Sequence, residues 1–291
     1  MNKKNLCTIS DESFMIKGLT LYQSLLDTSN NFILHYLCID EEIYLKYKHL
    51  ESENLLFYNI QDFLKKDLIL LKLKEKNYKY FCWSLASYFS NFLLQTGIES
   101  ISYIDSDIYF HEDIDYIFQE IQDKDIGVFR HRMFELGYNY SEGLFNVGFV
   151  YFKNTDIGKS ALNWWSDSVL NELHPEFSTC GDQKYLDFFY INYFENLFID
   201  GNIGHGAPWH WQLYDFSDYI ENGNIIWQNK KQKLIFSHFS QFIHDFNNDN
   251  YIPSTMHHCY TPLEYYKNIN SLKFIYDEYY KQLKLTRKKI K

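Results

Sequence analysis

Two aspartates, Asp105 and Asp107, stand inside an otherwise apolar segment, SISYIDSDIYF, at residues 100–110. Strand interiors seldom tolerate two carboxylates without a functional reason. Residues two apart in an extended segment point to the same side, so both carboxylates would face one ligand. Two negative charges that close need a cation between them, and carboxylate oxygens suit Mg²⁺ or Mn²⁺. The pattern predicts a divalent metal site, and the simpler alternative is a polar strand end exposed to solvent.

The elements that precede this motif predict where it lies in the fold. Strands are expected at residues 5–10, 32–39 and 55–60, with helices after the first two, the first of them capped by Asp11 or Ser13. This β-α-β-α-β order is typical of a parallel sheet wound with crossover helices. A helix over residues 79–96 then leads to the aspartate strand. Ligands of such sheets bind beyond the carboxyl ends of the strands, where both aspartates would stand.

The rest of the chain continues the alternation of strands and helices. Further strands are predicted at 126–129, 143–153, 196–199 and 233–238, further helices at 156–173, 182–193 and 262–286, and a Gly-rich loop at 200–211. The expected fold class is therefore α/β, with helices flanking a mixed, mostly parallel sheet. We expect one main domain over residues 1–260, followed by a helical, basic tail over residues 261–291.

Composition and charge exclude several classes of protein. An apolar fraction of 46% and a charged fraction of 23% exclude global disorder, and the net charge of −10 argues against nucleic acid as a partner. The five cysteines are odd in number and scattered without a C-x-x-C pair, which predicts reduced thiols. No window approaches 18 uncharged apolar residues, and the N-terminus lacks a signal-peptide pattern. These features predict a soluble, cytoplasmic protein.

Several sequence blocks surround the aspartate pair. In chain order they are TISDESF with LTLYQSLL, YIDSDIYF, FRHRM, GLFNVGFVYFKN, LNWW, CGDQKYLDFF, GAPWHW and IFSHFS. Together they resemble the retaining-type glycosyltransferases of family eight and related bacterial sugar transferases of the GT-A fold. The resemblance runs from about residue 5 to residue 240, which is most of the chain.

The resemblance implies a metal-dependent transfer of a sugar from a nucleotide-diphosphate donor. The cofactor would be Mn²⁺ or Mg²⁺, and the acceptor a glycan or lipid-linked glycan of the lipooligosaccharide, O-antigen or capsule type. It also makes His238, after an apolar strand, the third metal ligand beside Asp105 and Asp107. A lone histidine is otherwise most simply interpreted as a satisfied core or surface residue.

The same resemblance assigns further residues to the site. Asp182 and Gln183, at a predicted helix start, would be catalytic contacts to sugar hydroxyls, although a helix cap is the simpler role. The donor and its nucleotide would contact Thr8, Ser10, Asp11, Phe14, Ser106, Arg132 and Asn146. Phe14 is equally well explained as a core residue, Asn146 as a satisfied turn amide, and Arg132 as half of a surface ion pair. Trp209 and His210, on the loop before Trp211, would stack on or bind a sugar ring.

The chain departs from the family pattern in two places. The family's metal histidine is usually followed by G-x-x-K-P-W, whose lysine contacts the diphosphate, but here the segment is HFSQFIHDF. The arginine commonly found in the helix before the aspartate pair is absent from KYFCWSLASYF. These departures leave open the other partners of the diphosphate, the nucleotide and the stereochemical outcome.

Two other functions compete with glycosyl transfer. A haloacid-type phosphatase also uses D-x-D after an apolar strand, but its pattern usually has Thr or Val where this chain has Tyr109, and it stands near the N-terminus. A non-catalytic, aromatic-rich glycan-binding module would not need paired carboxylates in a strand.

The C-terminal segment has a charge pattern of its own. Residues 281–291 carry six basic side chains and no acidic one, and Leu272, Ile275, Tyr279, Leu283 and Thr286 recur at helical spacing. Basic residues at a helix C-terminus complement the helix dipole, which predicts a solvated, frayed end. The alternative is peripheral binding to an anionic membrane surface.

Overall fold

The computed structural model describes residues 3–29, 31–132, 142–174, 176–177, 181–254 and 269–290. Its strands, in chain order, are β1 Lys4–Ser10, β2 Phe32–Cys38, β3 Leu55–Asn59, β4 Ser100–Ile104, β5 Ile108–Phe110, β6 Ile126–Arg130, β7 Phe145–Lys153, β8 Leu197–Ile199, β9 Gly204–Gly206, β10 Asn224–Trp227, β11 Lys230–His238, β12 Ile243–Asp245 and β13 Asn250–Ile252. The main sheet has seven strands in the order β3-β2-β1-β4-β7-β6-β8. Only β7 runs antiparallel to its neighbours, so the predicted mixed, mostly parallel sheet is confirmed.

Helices cover both faces of this sheet, as predicted. They are α1 Met15–Thr28, α2 Glu41–Tyr47, α3 Gln61–Leu64, α4 Leu68–Lys76, α5 Tyr78–Gln95, α6 Asp115–Ile121, α7 Asp156–Leu170, α8 Asp187–Asn192, α9 Tyr219–Asn222 and α10 Asn270–Lys289. Helices α5 and α7 pack on one face through side chains such as Phe89 and Trp165. Helices α1, α2 and α6 bury residues such as Leu19 and Ile43 on the other face. No helix among these is long and apolar enough to cross a lipid bilayer.

The aspartate segment is two strands instead of the single strand expected from residue 100 to 110. β4 ends at Ile104, where the Asp105 amide donates to the Gly148 carbonyl at 3.0 Å. The Ile108 amide then donates to the Asp105 carbonyl at 3.1 Å, which turns the chain out of the main sheet. β5 pairs instead with β11 in a second sheet. The sequence does not reveal this turn, because the residues on either side of it, Ile104 and Ile108, are both apolar. Both are fully buried, one in each sheet.

The second sheet contains β10, β11 and β5, and β9 also pairs with β11. Residues 200–211, expected to be a loop, therefore include a strand. A Cβ on Gly204 would lie 2.2 Å from the Lys233 carbonyl oxygen, and one on Gly206 would lie 1.9 Å from the Trp211 ring. Only glycine permits this approach, so the glycines that indicated a loop in the sequence serve close packing.

Other elements differ from the sequence interpretation in detail. The predicted helix over 182–193 begins as a 3₁₀ turn, Gln183–Leu186, and continues as α8. Helix α4 was not predicted, although Asp67 caps it by accepting from the Ile69 and Leu70 amides, an N-cap signal that the sequence carries. At the start of α1, Asp11 accepts from the Phe14 amide at 3.0 Å, while Ser13 donates to Asp11 and caps nothing.

Helix α10 packs its apolar stripe against the body of the protein. Leu272, Ile275, Tyr279, Leu283 and Thr286 are buried, as their spacing indicates. The Tyr279 ring stacks on Phe239, with ring centroids 3.7 Å apart and planes 5° apart. The expected domain boundary at residues 260 and 261 lies outside the described residues, as does the predicted start of this helix.

Truncation of Tyr279 should destabilise the protein. Tyr279→Ala removes a ring that is 1% exposed and leaves a cavity beside Phe239, so the free energy of unfolding should fall by about 3–5 kcal/mol. Phe274→Ala, on the same helix at 51% exposure, should change it by no more than about 0.5 kcal/mol. Urea denaturation of both variants measures the difference, and equal losses would show that α10 does not pack through this stripe.

Candidate active site

A cavity of about 920 Å³ opens at the carboxyl ends of β1 and β4. Ser10 and Asp11 reach it from the end of β1, and residues 105–107 from the turn after β4. Asn146 of β7 and His238, the last residue of β11, line it from the main and second sheets. The cavity therefore lies where the topology of an open α/β sheet predicts a ligand site.

The three predicted metal ligands lie together at this cavity. Ligand atoms of Asp105, Asp107 and His238 are all within 4.8 Å of one another. His238 Nε2 is 3.0 Å from Asp107 Oδ1 and 3.6 Å from Asp105 Oδ2. The turn that ends β4 thus brings both carboxylates to one imidazole, although they do not share an extended strand.

Each carboxylate has a further neighbour at the oxygen that does not face His238. The Tyr103 hydroxyl donates to Asp105 Oδ1 at 2.8 Å, which leaves Oδ2 facing His238. The Lys17 ammonium lies 3.8 Å from Asp107 Oδ2, opposite the oxygen that faces His238. The Phe239 amide donates to the Asp107 carbonyl at 2.8 Å and ties the end of β11 to the aspartate turn.

A chain of hydrogen bonds orients the His238 ring. His238 Nδ1 lies 3.1 Å from Asn146 Oδ1, which also accepts from the Gly148 amide. Asn146 Nδ2 donates to Gln183 Oε1 at 2.7 Å, and Gln183 Nε2 donates to the Glu142 carbonyl. The backbone groups fix which way the two amides face, so Nδ1 carries the proton toward Asn146. Nε2 is then the nitrogen available to a metal ion.

The charges of the cluster perturb one another. Burial alone would raise the pKa of Asp107, but His238 and then Lys17 outweigh it and hold this pKa at about 2. Burial raises the pKa of Asp105, and Asp107 adds to the effect while His238 opposes it. Burial lowers the pKa of His238, but attraction to Asp107 and Asp105 reverses this and leaves the pKa raised. The imidazole thus partly fills the role of a cation between the two carboxylates.

The cluster fits a divalent ion. Two carboxylates and one imidazole form a donor set that binds Mn²⁺. The carboxylate oxygens of this set also suit Mg²⁺. His238 Nε2 and Asp107 Oδ1, now 3.0 Å apart as an ion pair, are close enough to bind one ion together. Asp105, Asp107 and His238 are therefore the residues that would hold a metal.

Asp182 lines the same cavity and has no capping role. It is buried, and its side chain makes no capping hydrogen bond to the 3₁₀ turn that follows it. Burial raises the pKa of Asp182 well above the ordinary value, and the nearby charge of Asp105 adds to this. A buried carboxyl that caps nothing and faces a cavity is available to a ligand.

Most of the remaining predicted residues also reach the cavity. Ser10, Asp11, Phe14, Ser106, Gln183 and Trp209 line it. Phe14 is 38% exposed and therefore not a core residue. Trp209 is buried, with its ring in edge contact with His131 and His238 at centroid distances of 4.7 and 5.1 Å. Its indole thus packs against His131 and His238.

Three predicted residues do not line the cavity. Thr8 is fully buried inside β1. Arg132 is buried as well, and its guanidinium donates to Asp200 Oδ2 at 2.7 Å and to the Tyr214 hydroxyl, so the expected surface ion pair is an internal one. Both ring nitrogens of His210 lie close to backbone carbonyls, those of His131 and His205. Contacts with residues 200–214 thus hold Arg132 and His210 away from the cavity.

Sequence reasoning missed several residues that line the cavity. Lys17 of α1 and Lys79 and Trp83 of α5 are among them. The departure after His238 also has a structural outcome. Gln241, three residues after His238, has a left-handed backbone with φ of 61°, and His244 lines the cavity. A lysine set within the apolar run MIKGLTL was the signal available for Lys17.

No family model matches the chain, but solved structures share its fold. The galactosyltransferase LgtC, solved with donor and acceptor sugar analogues, has a TM-score of 0.54 and 13% identity over 81% of this chain and 87% of LgtC. Mouse xyloside xylosyltransferase 1 has a TM-score of 0.48 and 14% identity, over 85% of this chain and 99% of that enzyme. The glycosyltransferase GlyE of Streptococcus pneumoniae TIGR4 has a TM-score of 0.44 and 16% identity, over 68% of this chain and 45% of GlyE. The likeness to LgtC establishes a glycosyltransferase fold of the GT-A type.

Two curated proteins are similar in sequence. YfnF of Bacillus subtilis (strain 168), an uncharacterized protein, is 28% identical over 252 residues, which are 81% of this chain and 80% of YfnF. YfnD of the same strain, also uncharacterized, is 26% identical over 250 residues, which are 83% of this chain and 79% of YfnD. The similarity extends over most of all three chains.

Gly148→Ala should weaken metal binding without changing a ligand. A Cβ at this position would lie 2.6 Å from Asn146 Oδ1 and 2.7 Å from His238 Nδ1, so the imidazole must move. The affinity for Mn²⁺, measured by electron paramagnetic resonance, should fall by about 10-fold or more, as for other residues that orient a ligand. His238→Gln provides the reference for loss of a ligand. Unchanged affinity in Gly148→Ala would show that the ring position does not matter to the ion.

Proposed function

We propose that the protein is a metal-dependent glycosyltransferase that moves a sugar from a nucleotide-diphosphate donor to a glycan acceptor. The observation that carries this proposal is the cluster of Asp105, Asp107 and His238 in the lining of a large cavity in a GT-A-type fold. Ligands that carry phosphate groups bind at metal clusters of this kind, and open α/β sheets bind their ligands at the carboxyl ends of parallel strands.

In the proposed reaction, the bond between the anomeric carbon and the diphosphate oxygen breaks, and that oxygen keeps the electron pair. An acceptor hydroxyl oxygen forms the new bond to the anomeric carbon and loses its proton to a basic oxygen in the site. A divalent ion held in the site would supply positive charge opposite the diphosphate. Asp105, Asp107 and His238 would hold the ion, and Asn146 and Gln183 would keep the imidazole oriented.

Contacts at the cavity support a division into two halves. Ser10, Asp11 and Phe14 follow β1 on one side, and the exposed Phe14 ring offers a stacking surface for a base. Asp182, Gln183 and Trp209 line the other half, where we assign the sugar and the acceptor. Asp182 and Gln183 are the proposed catalytic contacts, because a buried carboxyl and amide can bind sugar hydroxyls. The metal cluster lies between the halves.

The two metal carboxylates should be essential to transfer. Asp105→Asn and Asp107→Asn remove a ligand charge but keep the shape, so release of nucleoside diphosphate from a panel of nucleotide sugars should fall at least about 100-fold. Chelator should abolish the activity of the parent protein, and Mn²⁺ should restore it. Asp123→Asn, an exposed acidic residue outside the cavity, is the matched control. Full activity of either ligand variant, or of the metal-free protein, contradicts the proposal.

Asp182→Asn separates substrate contact from metal binding in the same assay. Because the side chain caps nothing, the melting temperature and Mn²⁺ affinity should change little while kcat/KM falls sharply. Normal kcat/KM would remove Asp182 from the site. The assay also discriminates the competing functions: a phosphatase would release phosphate from simple phosphate esters, and a glycan-binding module would bind glycans equally well after Asp105→Asn.

We propose a lipid-linked or surface glycan, of the lipooligosaccharide, O-antigen or capsule type, as the acceptor and the cytoplasmic membrane face as the site of action. The basic residues of α10 offer the surface contact. Lys288 is exposed, but Lys281 pairs with Glu278 at 3.0 Å, Lys284 pairs with Asp249 at 2.7 Å, and Lys289 donates to Gln23. Some of the charge is thus balanced within the protein. Each free basic residue contributes about 1 kcal/mol near an anionic surface, so binding would be weak and reversible.

Vesicle sedimentation tests the membrane contact. Truncation would remove the buried Leu283, so charge-neutralising variants are the better choice. The tail variant replaces Lys281, Lys284 and Lys288 with Gln. The matched control replaces the exposed Lys65, Lys66 and Lys72 with Gln. Pelleting with anionic vesicles at low salt should decrease in the tail variant alone, and equal pelleting of both variants, or pelleting that persists at high salt, would contradict the idea.

A further inference from the structure

The charge balance of the proposed site is incomplete without another cation. A divalent ion offsets the charges of Asp105 and Asp107, and the diphosphate of a nucleotide sugar then brings a negative charge on each phosphate. The leaving nucleoside diphosphate gains one more when the glycosidic bond breaks. Enzymes stabilise such developing charge with fixed cations or hydrogen-bond donors placed at the leaving group. A positively charged side chain is therefore expected beside the metal cluster.

Two lysines line the described part of the cavity, and they differ in burial. Lys79, at the start of α5, is exposed and lies over the Trp83 ring. Lys17, in the first turns of α1, is only 5% exposed. The segment after β11 brings His244 to the cavity but no lysine or arginine. Lys17 is therefore the buried lysine of the described lining.

The position of Lys17 is between the metal cluster and the exposed ring of Phe14. Its ammonium lies 3.8 Å from Asp107 Oδ2 and 4.5 Å from the centroid of the Phe14 ring. If a base stacks on Phe14 and the metal-bound diphosphate lies at Asp107, the ribose and the first phosphate connect these two points. The ammonium of Lys17 is placed along that connection.

The surroundings of Lys17 do not satisfy its ammonium. Within the described residues, the ammonium has no acceptor at hydrogen-bond distance, since 3.8 Å to Asp107 is too long. A buried ammonium with three donors is costly unless it is paired and hydrogen-bonded. Phosphate oxygens would supply the missing acceptors.

We propose that Lys17 binds the diphosphate of the donor, donating hydrogen bonds to phosphate oxygens beside the Asp105, Asp107 and His238 cluster. This inference rests on the proposed function. Helix α1 thereby supplies the buried cation of the described lining, whereas the Lys79 side chain of α5 is exposed. The contact strengthens as negative charge develops on the leaving group, so it serves departure of the nucleotide as well as binding.

Binding of diphosphate probes to Lys17→Gln tests the proposal. The probes are inorganic pyrophosphate, the diphosphates of uridine, guanosine, adenosine, cytidine and thymidine, and the matching monophosphates, each titrated with Mn²⁺ by calorimetry. Lys17→Gln should weaken binding of pyrophosphate and of the preferred nucleoside diphosphate by about 10- to 100-fold, the range for a hydrogen bond to a charged group. The matching monophosphate should lose less. Mn²⁺ alone should bind at least as tightly as before.

Two further variants make the result specific. Lys79→Gln removes the exposed lysine of the same cavity, and its affinities should stay within about twofold of the parent protein. Lys17→Arg keeps the charge and should recover part of the lost affinity. If Lys17→Gln is too unstable to titrate, Lys17→Arg is titrated in its place. Unchanged diphosphate binding in Lys17→Gln overturns the proposal. So does an equal loss of Mn²⁺ binding without any phosphate probe, because Lys17 would then act only on Asp107.

Failure of the proposed function gives a different result. A parent protein that binds pyrophosphate with Mn²⁺ but none of the nucleoside diphosphates contradicts nucleotide-sugar chemistry. The pyrophosphate titrations then still measure the contribution of Lys17 to diphosphate binding. A parent protein that binds neither probe contradicts both the function and the role of Lys17.

Discussion

The repulsion between the carboxylates of Asp105 and Asp107 is the constraint around which this end of the molecule is built. The turn after β4 brings both to His238, whose Nε2 lies 3.0 Å from one carboxylate and 3.6 Å from the other. In water such proximity is screened, but here Asp107 and His238 are buried, so every charge must be met locally. The tyrosine hydroxyl on Asp105 and the lysine near Asp107 meet part of this requirement.

This constraint also explains why two sheets are needed. β4 and β5 follow one another in sequence but belong to different sheets, and the aspartate turn is the junction between them. β11 pairs with β5 and ends at His238, so the third ligand arrives by way of the second sheet. Gly148 of β7 leaves room for the imidazole where a side chain would displace it. The cluster of Asp105, Asp107 and His238 is thus formed at the junction of the two sheets, and changes in either sheet affect its geometry.

The sequence predicts those parts of the site that depend on local order. Asp105 and Asp107 are recognisable because two carboxylates interrupt an apolar run. They are only two residues apart, so they stay close together whether the segment is a strand or a turn. His238 is not recognisable from its own surroundings, since a lone histidine has many structural roles, and the resemblance to known transferases was required to select it. The alternation of strands and helices likewise predicts the main sheet, because crossover connections leave few possible topologies.

The remaining features depend on tertiary packing that no local pattern contains. Arg132 looks like a surface residue in FRHRM, yet residues 200–214 cover it and pair it with Asp200. Lys17 resembles an ordinary helix lysine until α1 packs beside the aspartate turn. The break between β4 and β5 is hidden because burial continues across it in a different sheet. Each case involves contacts between residues far apart in sequence.

The stacking of α10 on the end of β11 has a consequence for biosynthesis. Tyr279 packs on Phe239, and the Phe239 amide in turn binds the Asp107 carbonyl, so the aspartate turn is supported by residues made about 170 positions later. During translation the main sheet can form while this support is still inside the ribosome. A nascent chain at that stage exposes the apolar surface of Trp211, Phe239 and Phe242, which α10 later covers. Chains that stop before this helix would leave that apolar surface exposed, and such chains are substrates for chaperones and proteases.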